Sequence, residues 1–467
     1  MLTFSQGCFF ILGYFTVVLL ARELGPQLYA TYGVILSVLL WMEGAGRRPI
    51  VSAVAKLLAE STDGQQELQT SAFILNLGLF ALFFVLLWTG APWLASWFGI
   101  ANGTLLFRLA AIDLPLFGVF TALEAIHQGH YRFLRLSLSK IAYAIAKLTG
   151  VLVVIYFGVS VEKALLANAF ATLGGLLALL WGIHLQWKNN GLTRVSPIIA
   201  LAGPIGIYSV FLPLLAWLHL WTLQVLSSPA EATTVGVFVG ALNIARVPGH
   251  TLSIMTVVLL PSIARAVAQD NMILARRYIN QSLRFFLILY LPACLILLAR
   301  PEELMQWVYS KEFFGGGGLL ACLVIGGGLD TVQALFASIL MAAGRVKMTA
   351  AITSVSLLPA LGIVVPLVYF WGALGAALSG VFIPLLLVVF FGVLIVRRFG
   401  ALLEQRSLYN IGGAGVLMFV VDAFLPKASG MGILLHLVSL GVFFGALWSL
   451  GEITWQDFTF LVPRQSA

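Results

Sequence analysis

The sequence predicts an all-α integral membrane protein with about fourteen transmembrane helices, arranged as two parallel six-helix lobes around a central cavity plus two C-terminal helices. Three observations lead to this fold class. Hydrophobic residues make up 61% of the chain and charged residues only 9%, whereas a soluble domain carries about a quarter charged residues. Apolar runs of transmembrane length recur along the chain, and its two halves resemble each other. A chain of this composition cannot cover the surface of a globular protein in water.

About fourteen apolar runs of roughly 20 residues, the length that a bilayer core requires, predict the transmembrane helices. A transmembrane β-barrel would show short alternating segments instead. The first run is followed by Arg22 and Glu23 and not by a small-residue cleavage site, so it is interpreted as a retained span. The runs lie near 4–21, 28–46, 68–90, 103–127, 134–157, 161–185, 197–226, 232–260, 278–299, 315–343, 349–370, 372–396, 408–425 and 431–450.

The basic residues predict which side of the membrane each connection faces. With alternating sides, eighteen of the 26 Lys and Arg residues fall on one side, five fall on the other, and Arg108, Lys147 and Arg246 lie within spans. Basic residues concentrate in cytoplasmic loops. The richer side and both termini are therefore predicted to be cytoplasmic, in the cytoplasmic (inner) membrane. The net charge of +8 thus indicates membrane topology and not nucleic-acid binding.

Similar segments in the two halves of the chain predict an internal repeat. Six spans per repeat is an even number, so both copies enter the membrane the same way up, as in transporters with parallel repeats. The predicted units are 1–186 and 197–398 for the lobes, and 399–467 for two additional helices and a tail. Four pairs recur in the same order: Gly25–Ile35 with Ser228–Phe238, Pro92–Gly99 with Pro301–Ser310, Gly129–Lys140 with Gly344–Val355, and Val154–Gly158 with Leu367–Gly372.

Longer stretches of the chain resemble a known family. VVLLARELGPQLYATYGVILSVLLW (Val17–Trp41), followed by a basic pair and AKLLAE, is similar to the start of polysaccharide-type (Wzx-like) flippases of the multidrug/oligosaccharidyl-lipid/polysaccharide exporter superfamily. VGVFVGALNIARVPGHTLSIMTVVLLPSIAR (Val235–Arg265) resembles the eighth helix of that family, and GALGAALSG (Gly372–Gly380) resembles its twelfth. The resemblance implies a protein that moves polyprenyl-pyrophosphate-linked oligosaccharides from the inner to the outer leaflet by alternating access.

Acidic residues inside predicted spans are the candidate ion-coupling groups, because an ionisable side chain in hydrocarbon costs about 2.5–3.5 kcal/mol unless it faces protein or water. Asp113 and Glu124 lie in the fourth span and point only about 20° apart. They either line a water-filled cavity or reach water from the span ends. Asp330, next to three glycines, is either an ion site or the cap of a broken helix. Glu43 lies one helical turn before Arg47 and can pair with it.

The stretch WMEGAGRRPIVS (Trp41–Ser52) contains the first candidate substrate-binding residue. Arg47 is predicted to face the inner mouth of the cavity, where an anionic headgroup would be captured. Arg48 is predicted mainly to anchor the span, since basic pairs at span exits are common. Tyr32 lies on the same helical stripe as this site and is a second candidate.

Three more candidate substrate-binding residues lie in the fifth and eighth spans. Arg246 presents a planar fork of donors that matches phosphate oxygens, and Asn243 shares its helix face. Lys147 is the deepest cation of the fifth span. It either meets a phosphate, pairs with Glu124, or forms a structural salt bridge with the fourth helix.

The motifs of membrane enzymes are missing from the sequence. No HExxH pair, metal-ligand cluster or Walker lysine occurs, so no enzyme activity, cofactor or metal site is predicted. Without an ATP site, uphill transport has to use the membrane potential or an ion gradient, with a proton or another cation. The predicted function is a flippase for a lipid-linked oligosaccharide, acting as a monomer among membrane lipids. An ion-coupled drug or metabolite exporter of the same fold is the alternative, and a polysaccharide polymerase is a third hypothesis.

Overall fold

The computed structural model describes residues 2–60, 64–181, 194–249, 262–400, 403–424 and 432–453. Within these residues all regular secondary structure is helical, which confirms the predicted all-α membrane fold. Parts of several predicted spans, such as 250–260 of the eighth, and the tail from residue 454 onward lie outside the described residues.

The first lobe consists of helices α1 to α6. Helices α3 and α4 are separated only by Ile112 and form one span. The bounds are α1 (Leu2–Glu60), α2 (Gln65–Trp97), α3 (Gly103–Ala111), α4 (Asp113–Gly129), α5 (Phe133–Tyr156) and α6 (Val161–Leu180).

The second lobe consists of helices α7 to α13, and two further helices follow it. Residues 247–249 and 262–268 are also helical. The bounds are α7 (Val195–Leu226), α8 (Ala232–Ala245), α9 (Met272–Ala299), α10 (Pro301–Val308), α11 (Gly317–Ala342), α12 (Val346–Val355), α13 (Leu357–Phe399), α14 (Gln405–Phe424) and α15 (Gly432–Ser449).

Helix α1 crosses the membrane twice. Its 59 residues would be about 88 Å long at 1.5 Å per residue, against a hydrocarbon core of about 30 Å. The backbone breaks at Gly25, where φ is 67° and ψ is 166°, a conformation that favours glycine. Pro26 follows and has no N–H to continue the helical ladder. The chain therefore turns back at this point.

The same construction occurs in the second lobe. Ten described helices are long and apolar enough to span a membrane. One of them, Val346–Phe399, contains a non-helical residue, Gly372 (φ 53°, ψ −129°). Counting the two broken helices twice gives twelve crossings among the described residues, and α8 and the shorter apolar helix α15 lie where the other two spans are predicted.

The predicted repeat is visible in the turns between neighbouring spans. Gly158 (φ 86°) lies between α5 and α6, and Gly372 (φ 53°) lies between the two halves of α13. These glycines end the matched segments Val154–Gly158 and Leu367–Gly372. Equivalent hairpins thus occupy equivalent places in the two lobes, whereas the exact limits of the predicted units remain predictions.

The packing of the helices places α1 between the lobes. Within the first lobe α4 packs against α1, α2 and α6, and within the second lobe α13 packs against α7 and α11. The lobes meet where α1 packs against α7 and α8. Helices α14 and α15 pack against each other and against α9, around a separate small core that includes Ile288, Met418 and Phe443.

Candidate functional site

Polar side chains within the spans form three clusters. The first-lobe cluster lies on α1, α4, α5 and α6, the second-lobe cluster on α7, α8 and α11, and the outer cluster at the predicted outer side. Their members are Glu43, Arg47, Asp113, Glu124, Lys140, Tyr143, Lys147, Asn168 and Thr172 in the first-lobe cluster, Trp217, His219, Arg246, Asp330 and Gln333 in the second-lobe cluster, and Tyr29, Tyr32, Asn243, Tyr309 and Phe313 in the outer cluster.

Arg47 and Glu124 form a bidentate ion pair between α1 and α4. Arg47 Nε donates to Glu124 Oε2 at 2.7 Å, and Nη2 donates to Oε1 at 2.5 Å. The Arg47 side chain is 40% exposed, whereas the Glu124 side chain is only 8% exposed. Arg47 lies about 33 Å along the helix from Gly25, near the predicted cytoplasmic end of the span. The guanidinium therefore borders open space there, with its donor fork already occupied.

The partner of Arg47 differs from the one that the sequence pattern suggested. Glu43, one turn earlier on the same helix, lies close enough to the carboxyl of Asp113 to interact with it electrostatically. Lys147 lies beside both of these acids and not beside Glu124. Two carboxylates in contact repel each other unless a proton or a cation lies between them. The structure thus brings Glu43, Asp113 and Lys147 together as a second group within the first-lobe cluster.

Asp113 is held in place by α6. Asn168 Nδ2 donates to Asp113 Oδ2 at 2.7 Å, and Thr172, whose hydroxyl donates to the Asn168 carbonyl at 3.4 Å, lies beside the same carboxylate. Asp113 and Glu124 are both buried, so neither reaches water at a span end. Asn168 and Thr172 were missed from the sequence, although two polar residues four apart in an apolar span were a usable signal.

In the second-lobe cluster the guanidinium of Arg246 lies over an aromatic ring. Its guanidinium carbon is 3.8 Å from the centre of the Trp217 ring, and Nη2 donates to the Ala216 carbonyl at 3.2 Å. Such stacking orients the fork and leaves its edge available for oxygen acceptors. Asp330 lies close enough to interact electrostatically with Arg246. This leaves a cation and an acid side by side near the middle of the lobe.

Asp330 lines a small cavity and does not cap a broken helix. Helix α11 continues through the three glycines before Asp330, so the alternative of a helix break at this point is wrong. Asp330, His219, Gln333 and Ser379 contribute polar groups to the cavity walls. The Gln333 amide nitrogen has no hydrogen-bond partner in the part of the chain that the structure describes. The cavity therefore has unused hydrogen-bonding capacity.

Tyr32 and Asn243 lie in the outer cluster, although Asn243 is only one helical turn from Arg246. Asn243 Nδ2 donates to Tyr29 Oη at 2.8 Å. Tyr29 and Tyr32 stack with their centroids 6.1 Å apart, and Tyr32 is only 2% exposed. Phe313 packs edge-on against Tyr29 at 6.2 Å. Two of the five predicted substrate-binding residues are thus enclosed between the lobes in this structure.

The two lobes touch along backbone surfaces next to the outer cluster. A Cβ atom added to Gly236 of α8 would lie 1.7 Å from the Pro26 carbonyl oxygen, and one added to Gly33 would lie 2.6 Å from Val239 Cγ1. Arg22 donates to the carbonyls of Val308 at 2.8 Å and Trp307 at 2.6 Å. The lobes are therefore closed against each other at the predicted outer side.

A match to a family model tests the resemblance that the sequence suggested. A family model described as polysaccharide biosynthesis protein matches residues 1–267, more than half of the chain. The chain belongs to this family. The family is the Wzx-like one named from the sequence, within the multidrug/oligosaccharidyl-lipid/polysaccharide exporter superfamily, so that prediction is confirmed. No curated protein sequence matches the chain significantly.

Solved structures with the same fold agree with the family. The lipid II flippase MurJ in an inward closed conformation has a TM-score of 0.78 and 13% identity, with 98% of each chain covered. An inward-facing multidrug resistance MATE family transporter has a TM-score of 0.67 and 14% identity, with 84% of this chain and 95% of that one covered. A mutant of the Vibrio cholerae MATE transporter VcmN has a TM-score of 0.62 and 14% identity, with 87% of this chain and 96% of that one covered. These proteins are transporters and flippases and not enzymes, and at such identities the likeness establishes the fold.

Proposed function

We propose that this family member is a flippase that moves a polyprenyl-pyrophosphate-linked oligosaccharide from the cytoplasmic to the outer leaflet by alternating access. The observation that carries the proposal is the set of partly exposed cations inside the membrane domain. Arg47, Lys140, Lys147 and Arg246 all lie in transmembrane helices and all are half-buried. A cationic interior attracts the diphosphate of such a lipid.

The proposed orientation follows the basic residues. The side that carries most Lys and Arg residues, and both termini, face the cytoplasm, and the protein resides in the cytoplasmic membrane and acts as a monomer. Arg47 then lies where a headgroup enters from the inner leaflet. Arg246 lies about 21 Å along α8 from its outer end, so the diphosphate would reach it on the way across.

The proposal predicts that flipping depends on both Arg47 and Arg246. Replacing Arg47 or Arg246 by Ala should reduce flipping at least tenfold, since each charge-assisted hydrogen bond contributes about 1.5–3 kcal/mol. Lys at either position should restore activity only partly, because a point charge lacks the donor fork. Flipping is measured on a fluorescent lipid-linked oligosaccharide in proteoliposomes.

Arg48 supplies the matched control for this experiment. It neighbours Arg47 in the chain, has the same chemistry and is exposed, so Arg48→Ala should change flipping by less than twofold. Wild-type rates in both Arg47→Ala and Arg246→Ala, at normal protein level and topology, would contradict the proposed substrate site.

A drug or metabolite exporter remains the second candidate function. The observation that favours it is the carboxyl pair of Glu43 and Asp113, since buried acids can also bind organic cations. An exporter of that kind should transport a cationic dye and should be insensitive to Arg47→Ala. Dye efflux measured in the same proteoliposomes separates the two functions.

A further inference from the structure

The donor fork of Arg47 is occupied by an internal carboxylate. Both hydrogen bonds from Arg47 to Glu124 have the parallel geometry by which arginine binds a phosphate group. A headgroup phosphate therefore cannot use the Nε–Nη2 edge of Arg47 while Glu124 remains there. Ligand and Glu124 compete for this edge and for the same positive charge.

Arg246 is in a different state. In the described part of the chain its only hydrogen bond is from Nη2 to the Ala216 carbonyl, at 3.2 Å. Trp217 covers one face of its guanidinium, and the rest of the fork is not engaged by a carboxylate hydrogen bond. One arginine is thus open to an anion and the other is blocked, and the blocked one lies at the predicted cytoplasmic end.

A displaced Glu124 would find a second partner nearby. Lys140 lies close enough to Glu124 to interact with it electrostatically, and its ammonium now donates to Gln6 Oε1 at 2.9 Å. Glu43, Tyr143 and Arg48 are the other ionisable neighbours of Arg47. Because the partner of Lys140 among the described residues is a neutral amide, Lys140 can accept the carboxylate without losing an ion pair there. The exchange leaves no buried charge unpaired.

The surrounding membrane supplies a reason for blocking Arg47. Bilayer phospholipids carry phosphodiester headgroups at high local concentration, and an open arginine fork near the inner leaflet would bind them. A carboxylate on the same chain competes at an effective concentration on the order of millimolar or above. A diphosphate diester carries one more negative charge than a phosphodiester and has more oxygens, so it displaces Glu124 more readily.

We propose that Glu124 sets an affinity threshold at Arg47: it weakens the binding of every anion by the same factor, so phosphodiesters and monophosphates leave the arginine unoccupied, whereas a more tightly binding diphosphate displaces Glu124 towards Lys140. This role rests on the proposed function, because it takes Arg47 to be part of the substrate site. It concerns which anions occupy Arg47 at the concentrations present in the membrane, and not the ratio of their intrinsic affinities.

The test measures binding of two probes, inorganic pyrophosphate and inorganic phosphate, to the purified full-length protein by calorimetry. The wild type should prefer pyrophosphate. Glu124→Gln keeps the side-chain shape and removes the charge, so phosphate should bind at least tenfold more tightly than to the wild type. Pyrophosphate should gain by about the same factor, because both ligands have to displace the same carboxylate. Phosphate affinity in Glu124→Gln within twofold of the wild type would overturn the proposal.

A second variant and a second probe make the result independent of folding defects and of ligand source. Glu124→Asp keeps the charge but draws the carboxylate back from Arg47, so phosphate affinity should lie between those of wild type and Glu124→Gln. Wild-type phosphate affinity in Glu124→Asp would also count against the proposal. In nanodiscs of anionic phospholipid, Glu124→Gln should retain a lipid that the wild type does not, as seen by native mass spectrometry, and equal retention would contradict competition with headgroups.

Failure of this proposal can be told apart from failure of the proposed function. If Arg47→Ala leaves pyrophosphate binding at the wild-type level, Arg47 is not part of the substrate site. If Arg47→Ala loses that binding while Glu124→Gln keeps the wild-type phosphate affinity, the site stands and the role of Glu124 is wrong.

Discussion

At the scale of single residues, the acids inside the membrane domain are in unequal environments. Glu124 is engaged by Arg47, and Asp330 lies beside Arg246. Glu43 and Asp113 instead face each other, and one oxygen of each has no hydrogen-bond partner among the described residues. A carboxyl pair of this kind can bind a proton or a small cation, which would then take the place of the Lys147 ammonium as the balancing positive charge. It is the strongest candidate for ion coupling among the four acids.

The carboxyl pair gives a prediction about energy coupling. Glu43→Gln or Asp113→Asn should keep pyrophosphate binding but reduce the stimulation of flipping by an imposed pH or sodium gradient at least fivefold. The reason is that an amide cannot take up and release a proton or bind a cation by charge. The measurement compares initial flipping rates with and without each gradient.

Asp422 provides the control for that experiment. It is also a buried acid in a transmembrane helix, but it pairs with His436 at 2.8 Å within the two C-terminal helices. Asp422→Asn should leave the stimulation by the gradient unchanged. Full stimulation in both Glu43→Gln and Asp113→Asn would move the coupling to Asp330 or to the membrane potential acting on the substrate.

The presence of charges at these positions could be predicted from the sequence, but their pairing could not. Arg47 and Glu124 are conspicuous because each stands in an apolar run. Glu43 and Glu124 are chemically equal partners for Arg47, and the choice between them depends on how α1 and α4 pack. Glu124 is 77 positions away in the chain, beyond the reach of any helical pattern. Tertiary packing decides such pairings.

At the scale of helices, proline explains two breaks that hydrophobic runs did not reveal. Helix α3 ends at Ala111, four residues before Pro115, and α12 ends at Val355, four residues before Pro359. Proline has no N–H to donate to the carbonyl four residues earlier, so the ladder is interrupted there. These breaks could be predicted from the sequence through the prolines, whereas averaging hydropathy over a span conceals them.

The contact between α1 and α8 gives a prediction at this scale. Gly236→Ala would place a Cβ atom 1.7 Å from the Pro26 carbonyl, and a backbone carbonyl cannot move aside as a flexible side chain can. The lobes should then separate at the predicted outer side. A cysteine introduced at Val239, which is buried against Gly33, should react at least tenfold faster with a membrane-impermeant maleimide added outside.

Gly203 is the control glycine for this prediction. It lies in α7, and no atom lies within 4 Å of a Cβ atom added to it, so Gly203→Ala should leave the labelling rate at Val239→Cys unchanged. If Gly236→Ala also left the rate unchanged, the contact between α1 and α8 would not be what closes this side.

At the scale of the whole molecule, the architecture could be predicted from the sequence because the architecture depends on the length and repetition of apolar segments. Fourteen apolar runs and four pairs of matched segments predict two lobes of six spans. The matched glycines Gly158 and Gly372 both have positive φ angles. The conformational state could not be predicted. Whether the lobes are open or closed at one side depends on a small free-energy difference between two packings of the same helices. The close contacts of Gly33 and Gly236 show that the lobes are closed at the predicted outer side in this structure.

Alternating access requires the lobes to part at the predicted outer side during each transport cycle. A disulfide across that contact tests it. The Cβ position of Gly33 lies 3.4 Å from Val239 Cβ, close to the separation of about 3.5–4.5 Å found in disulfides. Cys8, Cys294 and Cys322 are replaced by Ala in the background.

A second cysteine pair within one lobe controls for effects of oxidation itself. The Cβ position of Gly150 in α5 lies 3.3 Å from Ala167 Cβ in α6, and these helices belong to the same lobe. Oxidising Gly150→Cys/Ala167→Cys should leave flipping unchanged, since the two helices move together.

The decisive measurement is the flipping rate of Gly33→Cys/Val239→Cys in proteoliposomes, before oxidation, after oxidation and after reduction. Locking the lobes together should stop flipping, and reduction should restore it to the rate before oxidation. Continued flipping by the fully crosslinked protein, at the rate of the reduced protein, would contradict alternating access between these lobes.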